Sequence, residues 1–372
     1  MYAHAVRVSC VFAVLLFGCS GASSEGAASA PIHVAASNRE NVPPPTTDRV
    51  PPPPAAELGY ELHEWGLVRA EEGDTLRVGA VAPVDTIPHV AFKPVLYFHT
   101  QAPQTLRSVV VRAAEGGSLA EVWPLAPFDQ MVRWENVAIE TRERCEPSEL
   151  PTATAAPCAG LPVGDFCESA ALAVARTSDA ACVTVGAAVE LFLFYRARVT
   201  RFTPPLVFER TGRRGDVRVT NAGALPIPGL LVRLRSEGGV VQALSVPPPT
   251  PGASVLVGAH FDAGATVASP PEYWNHADAA APGRSALHHS ILEIGLTPPE
   301  AAAFIMAWEQ GLFQAPRVGT GRRSDAPLDS FVYFLPEPST DGIARLELDP
   351  PPRATHRAIA VWSVLRANGP SH

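Results

Sequence analysis

Lysine occurs once in the 372 residues, at Lys93, and arginine fills every other basic position. The arginines form no stripe, and 29 Lys and Arg stand against 37 Asp and Glu. That balance argues against nucleic acid as a partner. No Cys-x-x-Cys pair occurs, so zinc-ribbon and thioredoxin chemistry lack their spacing. There is no G-x-S-x-G elbow: "GASVL" and "GRSAL" lack the final glycine that the sharp turn needs. "GTGRRS" at 319 to 324 lacks the third glycine of a dinucleotide fingerprint, and no cofactor is expected. The N-terminal apolar run falls well short of the roughly 20 residues needed to span a bilayer.

That run lies in "MYAHAVRVSCVFAVLLFGCS", where Arg7 is the only firm charge before Val8 to Phe17. As a helix it would rise about 15 Å, half a hydrocarbon core, which is the length of an export signal. It ends in "LFGCS", Leu16 to Ser20, which resembles the lipobox of bacterial lipoproteins, although Phe17 is bulkier than the usual occupant of its place. The resemblance implies that residues 1 to 18 are a signal peptide and that Cys19 carries the lipid. Each buried methylene of a lipid chain contributes about 0.8 kcal/mol, so several chains anchor firmly. Ser20 is not the aspartate that marks inner-membrane retention in such lipoproteins, which points to the outer membrane. The membrane, through the lipid, is thus the first expected partner.

Residues 19 to 58 turn to Ser, Ala, Gly and Pro and end in "NVPPPTTDRVPPPPAAE". Such a segment cannot bury enough apolar surface to fold, and its proline runs favour extended polyproline II. It reads as a disordered tether. Four cysteines follow within 38 residues: Cys145, Cys158, Cys167 and Cys182. In an oxidising compartment an even number reads as two disulfides with three possible connectivities. The stretch 145 to 182 is rich in Pro and Ala without a strand pattern, so it reads as a stapled excursion from the body.

Residues 59 to 372 are expected to form that body. Short runs rich in Val, Ile, Leu, Phe and Tyr recur between Pro and Gly punctuation, which is strand chemistry. "ELFLFYR", "SFVYFLP" and "RAIAVWSVL" are apolar on both faces and must be covered on both. The fold class is therefore mainly β, with β-sandwich-like sheets and one short helical region, 285 to 312, packed on them. Within that region "TPPE", Thr297 to Glu300, is a capping box ahead of the stripe Phe304, Ile305, Trp308 and Leu312. The stretch 216 to 258 resembles part of an immunoglobulin-like sandwich.

"YELHEWG", residues 60 to 66, raises the question of chemistry. As a strand it places Tyr60, Leu62 and Glu64 on one face and Glu61, His63 and Trp65 on the other. Whichever face is buried takes an ionisable group with it. "HEWG", "KPVLYFH", "EVWP", "FLFYR", "TPPEAAAFIMAWEQGLF" and "FVYFLP...DGIARLELDPPP...HRAIAVW" are similar, in that order, to uncharacterised exported proteins of planctomycetes and myxobacteria. The resemblance implies that "HEWG" opens a domain, and it carries over no catalytic residue.

His63, Glu64, Tyr97, His99 and Arg196 are the candidate ligand-binding residues. Tyr97 with His99, Trp134 with Glu135, His260 with Asp262, and His289 with Glu293 have spacings open to a metal. None completes a motif such as H-E-x-x-H, so no metal site and no catalytic residue is assigned. "RGD", Arg214 to Asp216, reads as a hairpin turn. The leading expectation is a lipid-anchored envelope lipoprotein with a non-enzymatic binding or structural role toward a protein or glycan partner. The alternative is a metal-assisted hydrolase of envelope or extracellular polymers that uses His63 and Glu64.

Overall fold

A computed structural model describes residues 59–71, 89–149, 170–199, 202–211, 215–237, 240–258, 279–314, 317–318, 322–323 and 328–365. Cys19, Cys158, Cys167, Arg214, His260 and Asp262 lie outside the described residues.

The body is mainly β, as the two-sided apolar strands require. Strands and helices are numbered in chain order. The largest sheet has eight strands, in the spatial order β12 (Val240–Val246), β11 (Leu231–Glu237), β16 (Leu328–Phe334), β18 (Ala354–Leu365), β1 (Tyr60–Glu71), β2 (His89–Thr100), β8 (Leu193–Val199) and β4 (Ser118–Trp123). All its pairings are antiparallel except β1 with β18, the strands nearest the two ends of the described chain. A second sheet has the order β17 (Ala344–Asp349), β3 (Gln104–Ala113), β5 (Met131–Glu140), β6 (Cys182–Val185) and β7 (Ala188–Glu190). A third is formed by β13 (Ser254–Val257), β10 (Asp216–Asn221) and β9 (Leu206–Thr211), and a short ribbon by β14 (Arg317–Val318) with β15 (Arg322–Arg323). The helices are α1 (Ala170–Ala175), α2 (Ala281–Ile294), α3 (Pro298–Leu312) and α4 (Glu337–Thr340).

Two cores lie on opposite faces of the large sheet. Tyr60, Leu62 and Val68 of β1 join Val109 and Val111 of β3, Val217 and Val219 of β10, and Phe331 and Tyr333 of β16. This is the sandwich half, between the large sheet and the two smaller ones. Trp65 and Leu67 of β1 join Phe194 of β8, Leu287 and Ile291 of α2, and Phe304, Ile305 and Trp308 of α3. A strand with a core on each face has no room for a polar side chain that lacks a partner. Each fully buried Val, Leu or Phe contributes about 1.5–3 kcal/mol, so these layers supply the main driving force.

Three sequence expectations change in detail. The helical region is a pair, α2 and α3, separated by Gly295, which ends α2 in the left-handed region at φ 110. The capping box at Thr297 and Glu300 forms as read. The stretch 145 to 182 is not free of regular structure: it holds α1, and Cys182 opens strand β6, because "ACVTV" pairs with β5. The immunoglobulin-like stretch divides between sheets, with β10 and β13 paired in the third sheet and the hairpin β11–β12 at the edge of the first. The strands β9 and β10 pair antiparallel from Thr211 and Asp216 onward, so the segment that carries Gly215 and Asp216 connects a hairpin.

Cys145 and Cys182 form a disulfide, with Cα atoms 5.2 Å apart. It fastens the segment after β5 to the start of β6.

Candidate functional site

Glycine ends the "HEWG" string for a reason set by the neighbouring strand. Trp65 pairs with Val95 and Leu67 with Phe92, so Lys93 and Pro94 together oppose the single residue Gly66. A Cβ at Gly66 would lie 3.1 Å from Pro94 Cα. The bulge fits a proline, which has no N–H to offer the ladder.

Before that bulge, β1 runs between β2 and β18 with His63 opposite Tyr97 on one side and His356 on the other. Alternation sends His63 toward the helices and Glu64 toward the smaller sheets. Each enters a different network.

Glu64 is fully buried. One carboxylate oxygen accepts from the Tyr195 hydroxyl at 2.6 Å and the other from Arg357 Nε at 2.5 Å. The same guanidinium donates to the Ala344 carbonyl at 2.8 Å and to Asp341 at 2.7 Å. Burial pushes the Tyr195 hydroxyl well above its ordinary pKa, and the Glu64 charge adds to that effect. Burial alone would weaken the Arg357 charge, but Glu64 beside it outweighs this and holds the guanidinium protonated. Charges taken out of water are tolerated only with good geometry and full hydrogen bonding, and this set has both.

On the opposite face, His63 meets Glu300 of α3. The capping box decides where that carboxylate lies: Glu300 accepts from the Thr297 backbone N–H at 2.9 Å. It also accepts from His63 Nδ1 and from His99 Nε2, both at 2.8 Å. A residue that secures a helix start thus also ties β1 and β2 to that helix. Burial would raise the Glu300 pKa, but the hydrogen bonds from His63 and His99 and their charges bring it down to about 2. Burial likewise opposes the charge on His99, and its hydrogen bond with Glu300 overcomes this, so the pKa is raised. The helix N-terminus favours the same negative charge.

His356 completes the face. Its ring meets His63 edge-on with centroids 5.1 Å apart, and His99 lies 4.3 Å from His63 on the other side. His356 Nδ1 donates to the Ile294 carbonyl at 3.0 Å, at the end of α2. Gly295 is required there twice over, by its positive φ and because a Cβ would lie 2.5 Å from His356 Nδ1. Glu61 borders the cluster, with Oε2 3.8 Å from His63 Nε2 and Oε1 bonded to Arg353.

The structure brings together His63 and His99 from the sequence candidates and leaves the others elsewhere. Tyr97 is buried beside Trp65 and donates to the Ala175 carbonyl at 2.9 Å. Arg196 pairs with Glu121 of β4 at 3.2 Å. His289 and Glu293 form a half-exposed pair at 3.1 Å on α2. Trp134 is buried in the sandwich core, while Glu135 pairs with Arg133 at the surface. His63 and Glu64 enter separate networks, because adjacent residues of one strand face opposite layers. Glu61, Glu300 and His356 were not among the sequence candidates. The capping box already marked Glu300 as a fixed carboxylate, whereas nothing local marked His356, which reaches the site by a parallel pairing nearly 300 residues away. No family model matches the chain, and no curated protein matches it.

Proposed function

We propose that the chain is a lipoprotein of the cell envelope, anchored through Cys19, with the outer membrane as its destination. Its β body has a non-enzymatic role in binding or structure, directed at a protein or glycan partner of the envelope. The structural observation that carries export is the Cys145–Cys182 bond, since disulfides persist in oxidising compartments and are rare in reducing ones. The apolar run that ends in "LFGC" supports the anchor, and the even count of cysteines between 145 and 182 supports the oxidising compartment. The closure of Glu64 by Tyr195 and Arg357 supports a structural rather than a general-base role for that carboxylate.

Metabolic labelling with a fatty-acid probe, followed by membrane fractionation, tests the reading. Label should enter the wild type, be lost in Cys19→Ala, and travel with the outer membrane. Incorporation that survives Cys19→Ala would defeat the anchor.

A further inference from the structure

Beside Glu61 on β1, the Nε2 of His63 is buried without a hydrogen-bonding partner among the described residues, on a side chain that is 4% exposed. An imidazole nitrogen placed so deeply without a partner costs free energy unless something else satisfies it. Its surroundings suggest what that is. The carboxylate of Glu300 can only accept, so His63 carries a proton on Nδ1, and in the neutral form of the ring the lone pair is on Nε2. The Ile294 carbonyl imposes the same tautomer on His356. Two histidines are therefore fixed with Nδ1–H donated to a carboxylate and a carbonyl, which is the outer shell that orients metal-ligating imidazoles. Glu61 adds an oxygen, Oε2, that its bond to Arg353 leaves facing His63.

We propose that Glu61, His63 and His356 form a binding site for a divalent first-row transition-metal cation of the Zn²⁺ class. One donor atom from each lies within 4.8 Å of the other two. Ligand atoms around a tetrahedral ion with bonds of 2.0–2.1 Å stand roughly 3.3 Å apart, so a small inward movement closes the set. Two imidazoles and one carboxylate select a transition metal over Ca²⁺ or Mg²⁺, which prefer oxygen. His63 is buried, whereas His356 is half-buried and Glu61 partly exposed, so the ion would have a protein floor and an open side. Three protein ligands leave coordination positions for water or for a group of a bound partner.

His63, His99 and Glu300 are a second close group. Their facing atoms already share hydrogen bonds at 2.8 Å, and Glu300 also caps α3. A cation there would displace protons that hold the helix to the sheet, so this group is assigned the role of support. The proposal does not depend on the lipid anchor.

The test uses the full chain without an affinity tag, in detergent and stripped by a chelator, titrated with Zn²⁺ by calorimetry and with Co²⁺ by visible absorption. One ion per chain is expected, with a Co²⁺ d–d spectrum of low coordination number. Glu61→Gln and His356→Gln should each weaken Zn²⁺ about 100-fold or more, and His99→Gln less than about tenfold, since His99 reaches the site only through Glu300 and lies beyond the groups that orient the ligands directly. His289→Gln should bind as the wild type does. If a variant fails to fold, X-ray absorption on Zn²⁺-loaded wild type replaces it and should count two imidazoles. No binding at millimolar Zn²⁺, wild-type affinity in both Glu61→Gln and His356→Gln, loss in His99→Gln alone, or a zinc shell without two imidazoles would each overturn the proposal.

Discussion

His63 and Glu64 are neighbours in the chain whose side chains leave the central strand through opposite faces, one to the carboxylate of Glu300 and the other to the guanidinium of Arg357. The strand β1 is thus held by a hydrogen bond to or from a buried carboxylate in each layer. One contact fixes helix α3 to the sheet. The other fixes β18 and α4 through Arg357, which also reaches Ala344 and Asp341. Opposite faces also mean separable roles, so changes at the two positions should have different consequences.

Glu64→Gln should destabilise the protein while leaving Zn²⁺ affinity unchanged. The substitution leaves Arg357 buried without its counter-charge, and breaking such a pair costs about 3–5 kcal/mol. Thermal and urea unfolding measure the loss, and calorimetry measures the affinity. A Glu64→Gln protein with wild-type stability that has lost zinc would refute this assignment.

The Glu300 network should make the metal-free protein sensitive to pH at both ends. The Glu300 pKa falls from 4.5 to about 2 on folding, so its stabilisation is full above 4.5 and is lost as pH falls toward 2. The span corresponds to about 3 kcal/mol. His99 has the opposite sign: its raised pKa stabilises the fold below its ordinary 6.5, and this is lost as pH rises through the folded value. The melting temperature of chelator-treated wild type should therefore exceed that of Glu300→Gln most between these limits. A constant gap from strongly acid to mildly alkaline pH would contradict the network.

Cys145→Ser should lower stability by about 3–4 kcal/mol, because the bond closes a loop with a separation of 37 residues and restricts the unfolded chain. In exported protein, alkylation without reductant should leave Cys145 and Cys182 unmodified by mass. Alkylation of either would show that the bond is absent from the native form.

Gly295→Ala should cost more than about 1 kcal/mol, since alanine is strained at a positive φ. It should also displace His356, whose ring occupies the space a Cβ would enter. The measurable result is weaker Zn²⁺ binding than the loss of stability alone explains. Equal affinity in a folded Gly295→Ala protein would dissociate the glycine from the site.

Much of the architecture is legible locally. Period-two runs that are apolar on both faces mark strands in need of two covers, and the strand positions that result include β1, β8, β16 and β18. The box "TPPE" predicts the start of α3, because its two hydrogen bonds are made within four residues. The alternation of "YELHEW" assigns the faces of Glu61, His63 and Glu64 before any neighbour is known. Strands β6 and β9 were less visible, since "CVTV" and "LVFERT" are short and owe their pairing to neighbours rather than to pattern.

The sequence by itself determined the apolar run ahead of Cys19, the proline-rich segment after it, the mainly β body and the face on which each residue of β1 stands. These depend on composition and on the two-residue period of a strand, which are local properties. Only the tertiary structure decided which groups meet on those faces. His356 arrives beside His63 through the parallel pairing of β1 with β18, and Glu300 arrives through the packing of α3 on Trp65. Strand order and helix docking follow from how all the apolar faces are buried at once, and no window of sequence contains that information.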